Sequence, residues 1–307
     1  MSVNLKGKSI ISLNDMKKEE LLYLMDISKK IKEGKFSNFL EGKIVASLFF
    51  EPSTRTRLSF QSAIKYGGGK SIGFATSKSS STEKGESLAD TVKTVNGYCD
   101  AIVMRHRIEG AARRASDVST VPVVNAGDGS NQHPTQTFLD LFTIIEKKGS
   151  LNNNVVGLMG DLKYSRTIHS LLIALSHFDV KLVFISPEAL KIPSRYLEYL
   201  KSKDIDYEIY NDFKDCGKSL DILYCTRIQR ERFYDPMEYE SVAGSYVIDK
   251  EGLDYLNKET YIMHPLPRVD EISVEVDDDP RAIYFEQAHN GVPVRQALLG
   301  LLTGTIK

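Results

Sequence analysis

Short apolar runs alternate with stretches of helical periodicity along the whole chain, and this alternation restricts the fold more than any other feature. Runs at 43–48, 71–75, 101–104, 121–124, 155–159, 181–185, 207–210, 221–225 and 261–263 read as strands. Between them apolar residues recur at steps of three and four, as in Leu21, Leu24, Ile27 and Ile31, or Phe138, Leu141, Phe142 and Ile145. Strands that alternate with helices predict parallel sheets with helices on both faces. The first helix is expected to be capped by Asn14 or Asp15 and stopped by Gly34. Others are expected from Ser53 to the Gly67–Gly69 turn and over 88–97, 134–149, 166–177 and 195–201. A short helix is expected before 221 and an apolar one over 294–302. Residues 149–154, rich in Gly, Ser and Asn, interrupt the pattern. The expected fold class is therefore α/β with two domains, each a mainly parallel sheet flanked by helices. Their boundaries fall at 1–149, completed by a C-terminal helix over 288–307, and at 150–287. A chain of 307 residues is long enough for two such cores.

In open α/β sheets ligands bind beyond the carboxyl ends of the strands, so chemistry is expected at those ends. The 43–48 run passes into Phe49-Phe50-Glu51-Pro52-Ser53-Thr54-Arg55-Thr56-Arg57. Ser53 is positioned as an N-cap, leaving the amides of Thr54, Arg55 and Thr56 pointing out of the helix end. Arginine in a first turn opposes the helix dipole, which favours negative charge there. A bound anion resolves the conflict, because amides, hydroxyls and guanidinium together cradle phosphate. The plain alternative is two solvated arginines beside an ordinary cap. The 101–104 run ends at Arg105-His106-Arg107. The next run passes through turn residues 125–132 to His133-Pro134-Thr135-Gln136. Pro134 suits a first helical turn, and His133 and Gln136 then face the same way. His133 reads equally as a neutral hydrogen-bond donor or as a cap without chemistry. Arg166, Arg227, Gln229, Arg230 and Arg232 flank strands of the second half. In His264-Pro265-Leu266-Pro267-Arg268 two prolines hold extended backbone, which either presents carbonyl oxygens to an amine or is only a rigid turn. The Ser-rich segment 76–86 reads as a surface loop, either linker or lid.

Bulk properties limit the partners. With 41% hydrophobic and 26% charged residues and a net charge of −1, no global field draws in nucleic acid or an anionic membrane. Cys99, Cys216 and Cys225 form no C-x-x-C pair, which argues against a disulfide framework or zinc module. No 18-residue apolar run occurs and the N-terminus lacks a leader pattern, so a cytoplasmic location is expected.

Taken in order, these pieces resemble one family over essentially the whole chain: the catalytic chain of aspartate carbamoyltransferase. The resemblance rests on Ser53-Thr54-Arg55-Thr56-Arg57, Ser80 with Lys84, Met104-Arg105-His106, and His133-Pro134-Thr135-Gln136. It continues in Gly160-Asp161-Leu162-Lys163-Tyr164 with Arg166, Thr226-Arg227-x-Gln229, and His264-Pro265-Leu266-Pro267-Arg268. It implies transfer of a carbamoyl group from carbamoyl phosphate to the amino group of L-aspartate, with no metal or other cofactor. By the resemblance Ser53, Thr54, Arg55, Thr56, Ser80, Arg105, His133 and Gln136 hold carbamoyl phosphate, and Thr56, Arg105 and His133 polarise its carbonyl. Lys84, Arg166, Arg227, Gln229, Pro265 and Leu266 bind aspartate, while Glu51 and Arg232 serve domain closure. Ser80 and Lys84 come from a neighbouring chain of a homotrimer with shared sites, and separate regulatory chains are left open. Ser80 is chosen over Ser79 and Ser81 because it lies four before the lysine. Such chemistry suits these residues: it joins a phosphate donor to a dicarboxylate, which calls for arginines, and it needs orientation and oxyanion stabilisation, not a covalent nucleophile.

Two rivals follow from the same residues. An ornithine-using relative shares the phosphate half but calls for an acidic acceptor pocket and usually a cysteine at Pro265. A non-catalytic metabolite-binding protein of two domains is disfavoured by Lys84 in a loop suited to closing over a site.

Overall fold

The computed structural model describes residues 3–76, 85–230, 233 and 235–307. Ser80, Lys84 and Arg232, with most of the Ser-rich segment, lie outside the described residues. The chain forms two compact units, Met1–Phe142 with His289–Lys307, and Thr143–Ala288.

In the first unit, β1 (Ile44–Phe49), β2 (Lys70–Phe74), β3 (Ala101–His106) and β4 (Val123–Asp128) form a parallel sheet of order β2-β1-β3-β4. Strands β1 and β3 are central and buried on both faces, which is why they read as unbroken apolar runs. Helices α1 (Lys18–Lys32), α2 (Thr54–Tyr66), α3 (Leu88–Asn96), α4 (Ala111–Val118) and the start of α5 (Pro134–Lys148) belong to this unit. Ala112, Ala115, Val92 and Phe50 pack with Ile102 and Met104 into one core.

The second unit holds β5 (Asn154–Met159), β6 (Val180–Ile185), β7 (Tyr207–Tyr210), β8 (Ile222–Cys225) and β9 (Tyr261–Met263). They form a parallel sheet of order β7-β6-β5-β8-β9. Helices α6 (Arg166–Leu175), α7 (Ser194–Lys201) and α8 (Pro236–Val242) complete it. Helix α9 (Tyr284–Thr303) begins in this unit and ends in the first. The division between units falls inside α5, at 142/143, where the sequence reading has 149/150, and inside α9, at 288/289, where it has 287/288.

Several expectations are corrected. Neither Asn14 nor Asp15 caps α1. Leu13–Asp15 is a separate 3-10 turn whose Leu13 N–H donates to Gln132 Oε1 at 3.0 Å. Helix α1 starts after Lys17, whose N–H donates to Glu20 Oε2 at 2.8 Å. Strand β4 runs on through Asn125–Asp128, read above as turn, because Ile10 pairs alongside Val124 and Asn125 Nδ2 donates to Ile11 O at 3.0 Å. The helix expected before β8 is a pair of 3-10 turns, Phe213–Asp215 and Gly217–Ser219. Helices α4 and α8 have no counterpart in the sequence reading. Helix α9 starts at Tyr284, not Val294, and carries Pro293 inside it.

Candidate active site

Parallel pairing places the candidate residues of the first unit along one edge. Because β1, β3 and β4 are neighbours and parallel, the residues just past them share the carboxyl edge of the sheet. Phe49 lies in register with Arg105, and Phe50 N–H donates to Arg105 O at 2.9 Å. The chain then turns through Pro52 into α2 with Ser53 in extended conformation at the N-cap position, φ −155°. Ser53 makes no side-chain cap bond, in contrast to the expected cap. Thr54 and Arg55 are exposed at the helix end and Thr56 is buried.

Electrostatics mark this end of α2. Burial holds the Arg55 guanidinium below its ordinary pKa, and the positive charge of Arg105 depresses it further. Arg105 is itself lowered by burial, against the opposing attraction of Glu51, whose Oε2 lies 3.1 Å from Arg105 Nε. Two mutually repelling guanidinium groups thus lie beside a helix N-terminus, and the Glu51 carboxylate pairs with that of Arg105. Such a cluster stores positive potential that a multiply charged anion relieves. Glu51 lies against Arg105 within its own unit, so its carboxylate is engaged there.

The second helix start is built by a residue the sequence reading passed over. The buried Asp128 carboxylate accepts from Asn125 Nδ2 at 2.8 Å, Gly110 N–H at 2.9 Å, Asn131 Nδ2 at 3.0 Å and Gln132 N–H at 3.2 Å. It thereby fixes the turn that delivers His133, which is buried and immediately precedes α5. Gln136 does not keep its whole amide for a ligand: Nε2 donates to Asp140 Oδ1 at 2.9 Å. A cavity of about 640 Å³ opens near the same strand ends, lined by Phe50, His106, Arg107, Glu109 and Arg114. Neither Arg55 nor Arg105 lines it.

In the second unit the ends of β5, β8 and β9 again share one edge. Gly160, at φ 118°, follows β5. A Cβ there would stand 2.2 Å from Thr226 O, so only glycine allows the two strand ends to approach. Asp161, quoted above in a motif but given no role, is buried and accepts from Tyr164 N–H at 2.9 Å and Gln229 N–H at 3.3 Å. Burial raises its carboxyl pKa and the amides oppose this. Asp161 thus ties the Arg166 turn to the Arg227–Gln229 turn. Arg166 opens α6, and Arg166, Arg227 and Gln229 are all partly exposed. Arg268 is committed elsewhere: it pairs with both carboxylate oxygens of Asp277 and donates to Tyr284 Oη at 2.9 Å.

Past β9, Leu266 has φ 57° and a cis peptide to Pro267. His264 is buried; its Nε2 lies 2.6 Å from Glu271 Oε1 and its Nδ1 accepts from Leu266 N–H at 2.8 Å. Burial keeps the His264 pKa below its ordinary value, although Glu271 opposes this. Burial also pushes the Glu271 carboxyl up, but the His264 hydrogen bond and charge together with backbone amides hold the group lower than usual. A neutral imidazole that donates from Nε2 and accepts at Nδ1 satisfies both partners. Buried Cys225 has a thiol pushed well up by burial, and Cys216 is raised to about 12, so neither is an activated nucleophile.

Two family models cover the chain, the carbamoyl-P binding domain of aspartate/ornithine carbamoyltransferase over residues 8–146 and the Asp/Orn binding domain over 152–302. The chain therefore belongs to the aspartate/ornithine carbamoyltransferase family, and its paired parallel-sheet units are the carbamoyltransferase fold. Its similarity to the aspartate carbamoyltransferase catalytic subunit of Thermococcus onnurineus is 51% identity, over 98% of this chain and 99% of that one. The solved catalytic subunit of Methanocaldococcus jannaschii aspartate transcarbamoylase superposes with a TM-score of 0.90 at 51% identity, over 95% of this chain and 97% of that one. The Trypanosoma cruzi aspartate transcarbamoylase, solved with carbamoyl phosphate and aspartate, gives a TM-score of 0.91 at 38% identity over 97% of each chain. Within the family, this chain is an enzyme of the aspartate carbamoyltransferase kind.

Proposed function

We propose that the chain transfers the carbamoyl group of carbamoyl phosphate to the α-amino group of L-aspartate, giving N-carbamoyl-L-aspartate and phosphate. The observation that carries this reading is the Arg55–Arg105 pair beside the N-terminus of α2, two mutually repelling cations of which Arg105 alone is paired with a carboxylate, that of Glu51. The neutral amine nitrogen attacks the carbonyl carbon, the bond from that carbon to the phosphate oxygen breaks, phosphate leaves with the electron pair, and the proton shed by the nitrogen goes to the departing phosphate. In this reading Ser53, Thr54, Arg55, Thr56 and Arg105 hold the phosphate, and Thr56, Arg105 and His133 stabilise the oxyanion. Gln136 helps orient the carbamoyl amide. Arg166, Arg227 and Gln229 take the aspartate carboxylates, and the carbonyls of Pro265 and Leu266 orient its amine. Cationic side chains at the strand ends of the second unit favour a dicarboxylate over ornithine, whose side chain is a cation. Turnover assayed with carbamoyl phosphate and each amine separates the two; activity with ornithine and not aspartate overturns the reading.

His133→Ala is expected to lower kcat roughly 10²-fold, the typical cost of one oxyanion donor, while carbamoyl phosphate binding changes far less. Steady-state kinetics with equilibrium binding distinguishes this from a pure affinity effect, which leaves His133 a binding role only. We also propose a homotrimer in which Ser80 and Lys84 complete the neighbour's site. Mixing inactive Lys84→Ala and Arg55→Ala chains then restores part of the activity, since some sites receive both intact contributions. No recovery from chains shown to exchange argues for self-contained sites.

A further inference from the structure

The turn after β9 is held in an unusual way. Leu266 sits at φ 57°, a region that a residue with a branched side chain adopts only when its surroundings impose it. Leu266 is half-buried against the core of the second unit, while Pro265 is half-buried and Pro267 exposed. A buried polar pair adds a directional hold. His264 is 1% exposed and Glu271 3%. His264 accepts the Leu266 N–H at Nδ1, 2.8 Å away, and its Nε2 is 2.6 Å from Glu271 Oε1. The other carboxylate oxygen accepts from Val269 N–H at 3.1 Å and Asp270 N–H at 3.2 Å. His264 N–H itself donates to the buried Gln287 Oε1 at 2.9 Å. One imidazole therefore clamps the turn to the strand end before it and, through Glu271, to the loop after it.

We propose that His264 is a positioning residue for the acceptor: by holding the Leu266 N–H it fixes the left-handed turn, and so the direction in which the Pro265 and Leu266 carbonyls meet the amine. This rests on the reading above, in which those carbonyls orient the aspartate amine. His264 touches no substrate in this scheme. Its role is specific to one substrate, because the anion-binding residues of the first unit have no part in this hydrogen-bonded set.

Two variants separate the two nitrogens. His264→Gln retains a donor near the Nε2 position and gives up the Nδ1 acceptor, whereas His264→Asn retains an acceptor near Nδ1 and gives up the contact with Glu271. His264→Gln is expected to raise the KM for aspartate about tenfold, the equivalent of one lost hydrogen bond, and to leave the KM for carbamoyl phosphate within about twofold. His264→Asn keeps most of the wild-type acceptor KM, and exchange of the Leu266 amide hydrogen is faster in the Gln variant than in the Asn variant. Equal losses for both substrates, an acceptor KM in His264→Gln like that of wild type, or Asn faring no better than Gln overturns the proposal. Where a His264 variant is too unstable to assay, Leu266→Gly serves instead, since glycine visits the same backbone region without being held in it. A rise confined to the acceptor KM is then expected, and an unchanged acceptor KM overturns the proposal. Wild-type turnover of aspartate, measured first, tests the underlying reading by itself.

Discussion

Arg55→Ala is expected to fold normally and to lose turnover by at least about 10²–10³-fold, the range found when one charge-stabilising donor is removed from a preorganised site. The ligand-free protein gives an unusual signature. Arg55 is exposed, and its charge is disfavoured by burial of its stem and by Arg105. Removing it relieves repulsion, so the thermal midpoint without ligand stays level or rises. What disappears is the response to an anion. In wild type, carbamoyl phosphate or inorganic phosphate raises the midpoint by mass action on the folded state, and in the variant the same concentrations do not. Arg55→Lys recovers only part of the turnover, because an ammonium cannot make the planar two-point contact with phosphate. Near-normal turnover in Arg55→Ala removes this residue from the site.

Arg295 carries the largest expected effect on stability. It lies on α9 at 3% exposure, with its Nη1 donating to Ser59 Oγ of α2 at 2.8 Å and its guanidinium 5.0 Å from the ring centre of Phe60. Burial lowers its pKa to about 10, against the attraction of Asp140 on α5, and its Nε makes no hydrogen bond. Asp140 in turn accepts from Gln136. Arg295→Met retains most of the volume but deprives a buried carboxylate of its opposite charge, which costs about 3–5 kcal/mol. Urea unfolding measures this directly. Adding Asp140→Asn to that variant is expected to restore part of the loss, because the two groups attract one another as charges. A loss below about 1 kcal/mol in the single variant shows that packing, not charge, holds this corner. The Ser59 contact lies in the same helix as Arg55, so a milder disturbance of anion binding accompanies the loss.

What the chain reveals in advance follows from how local the cause is. The turn from β1 into α2 is legible because Pro52, Ser53 and the following apolar spacing all act within one helical turn. The same holds for Pro134 at the start of α5, and for Arg105 at the end of an apolar run. Features set by distant contacts are not legible. Asn14 and Asp15 look like caps, but Leu13 donates to Gln132 across the first unit and a separate 3-10 turn results. Asn125–Asp128 has the composition of a turn and becomes strand because Ile10 and Ile11 lie beside it. Apolar spacing alone starts the last helix at Val294. In the structure Asn290 accepts from Lys32 Nζ at 2.8 Å and α9 runs straight through. Among candidate site residues, the arginines proposed to bind anions stand out by their sign at helix starts. Asp128, Asp161 and Glu271 do not, because a carboxylate that organises backbone amides looks like any surface acid until its burial is known.

Helix α9 also sets an order of events during synthesis. Its second half, with Arg295, belongs to the unit formed by the first 142 residues, yet the ribosome makes residues 143–288 before it. At ordinary elongation rates that interval lasts about 7–30 s. Through it the nascent anion-binding unit has Ser59 and Asp140 but no Arg295 to join them, and the apolar surface against Ala297, Leu298 and Leu301 stays bare. The acceptor unit, continuous in sequence, is free to fold first. A chain that begins with one domain is in this sense finished from its other end.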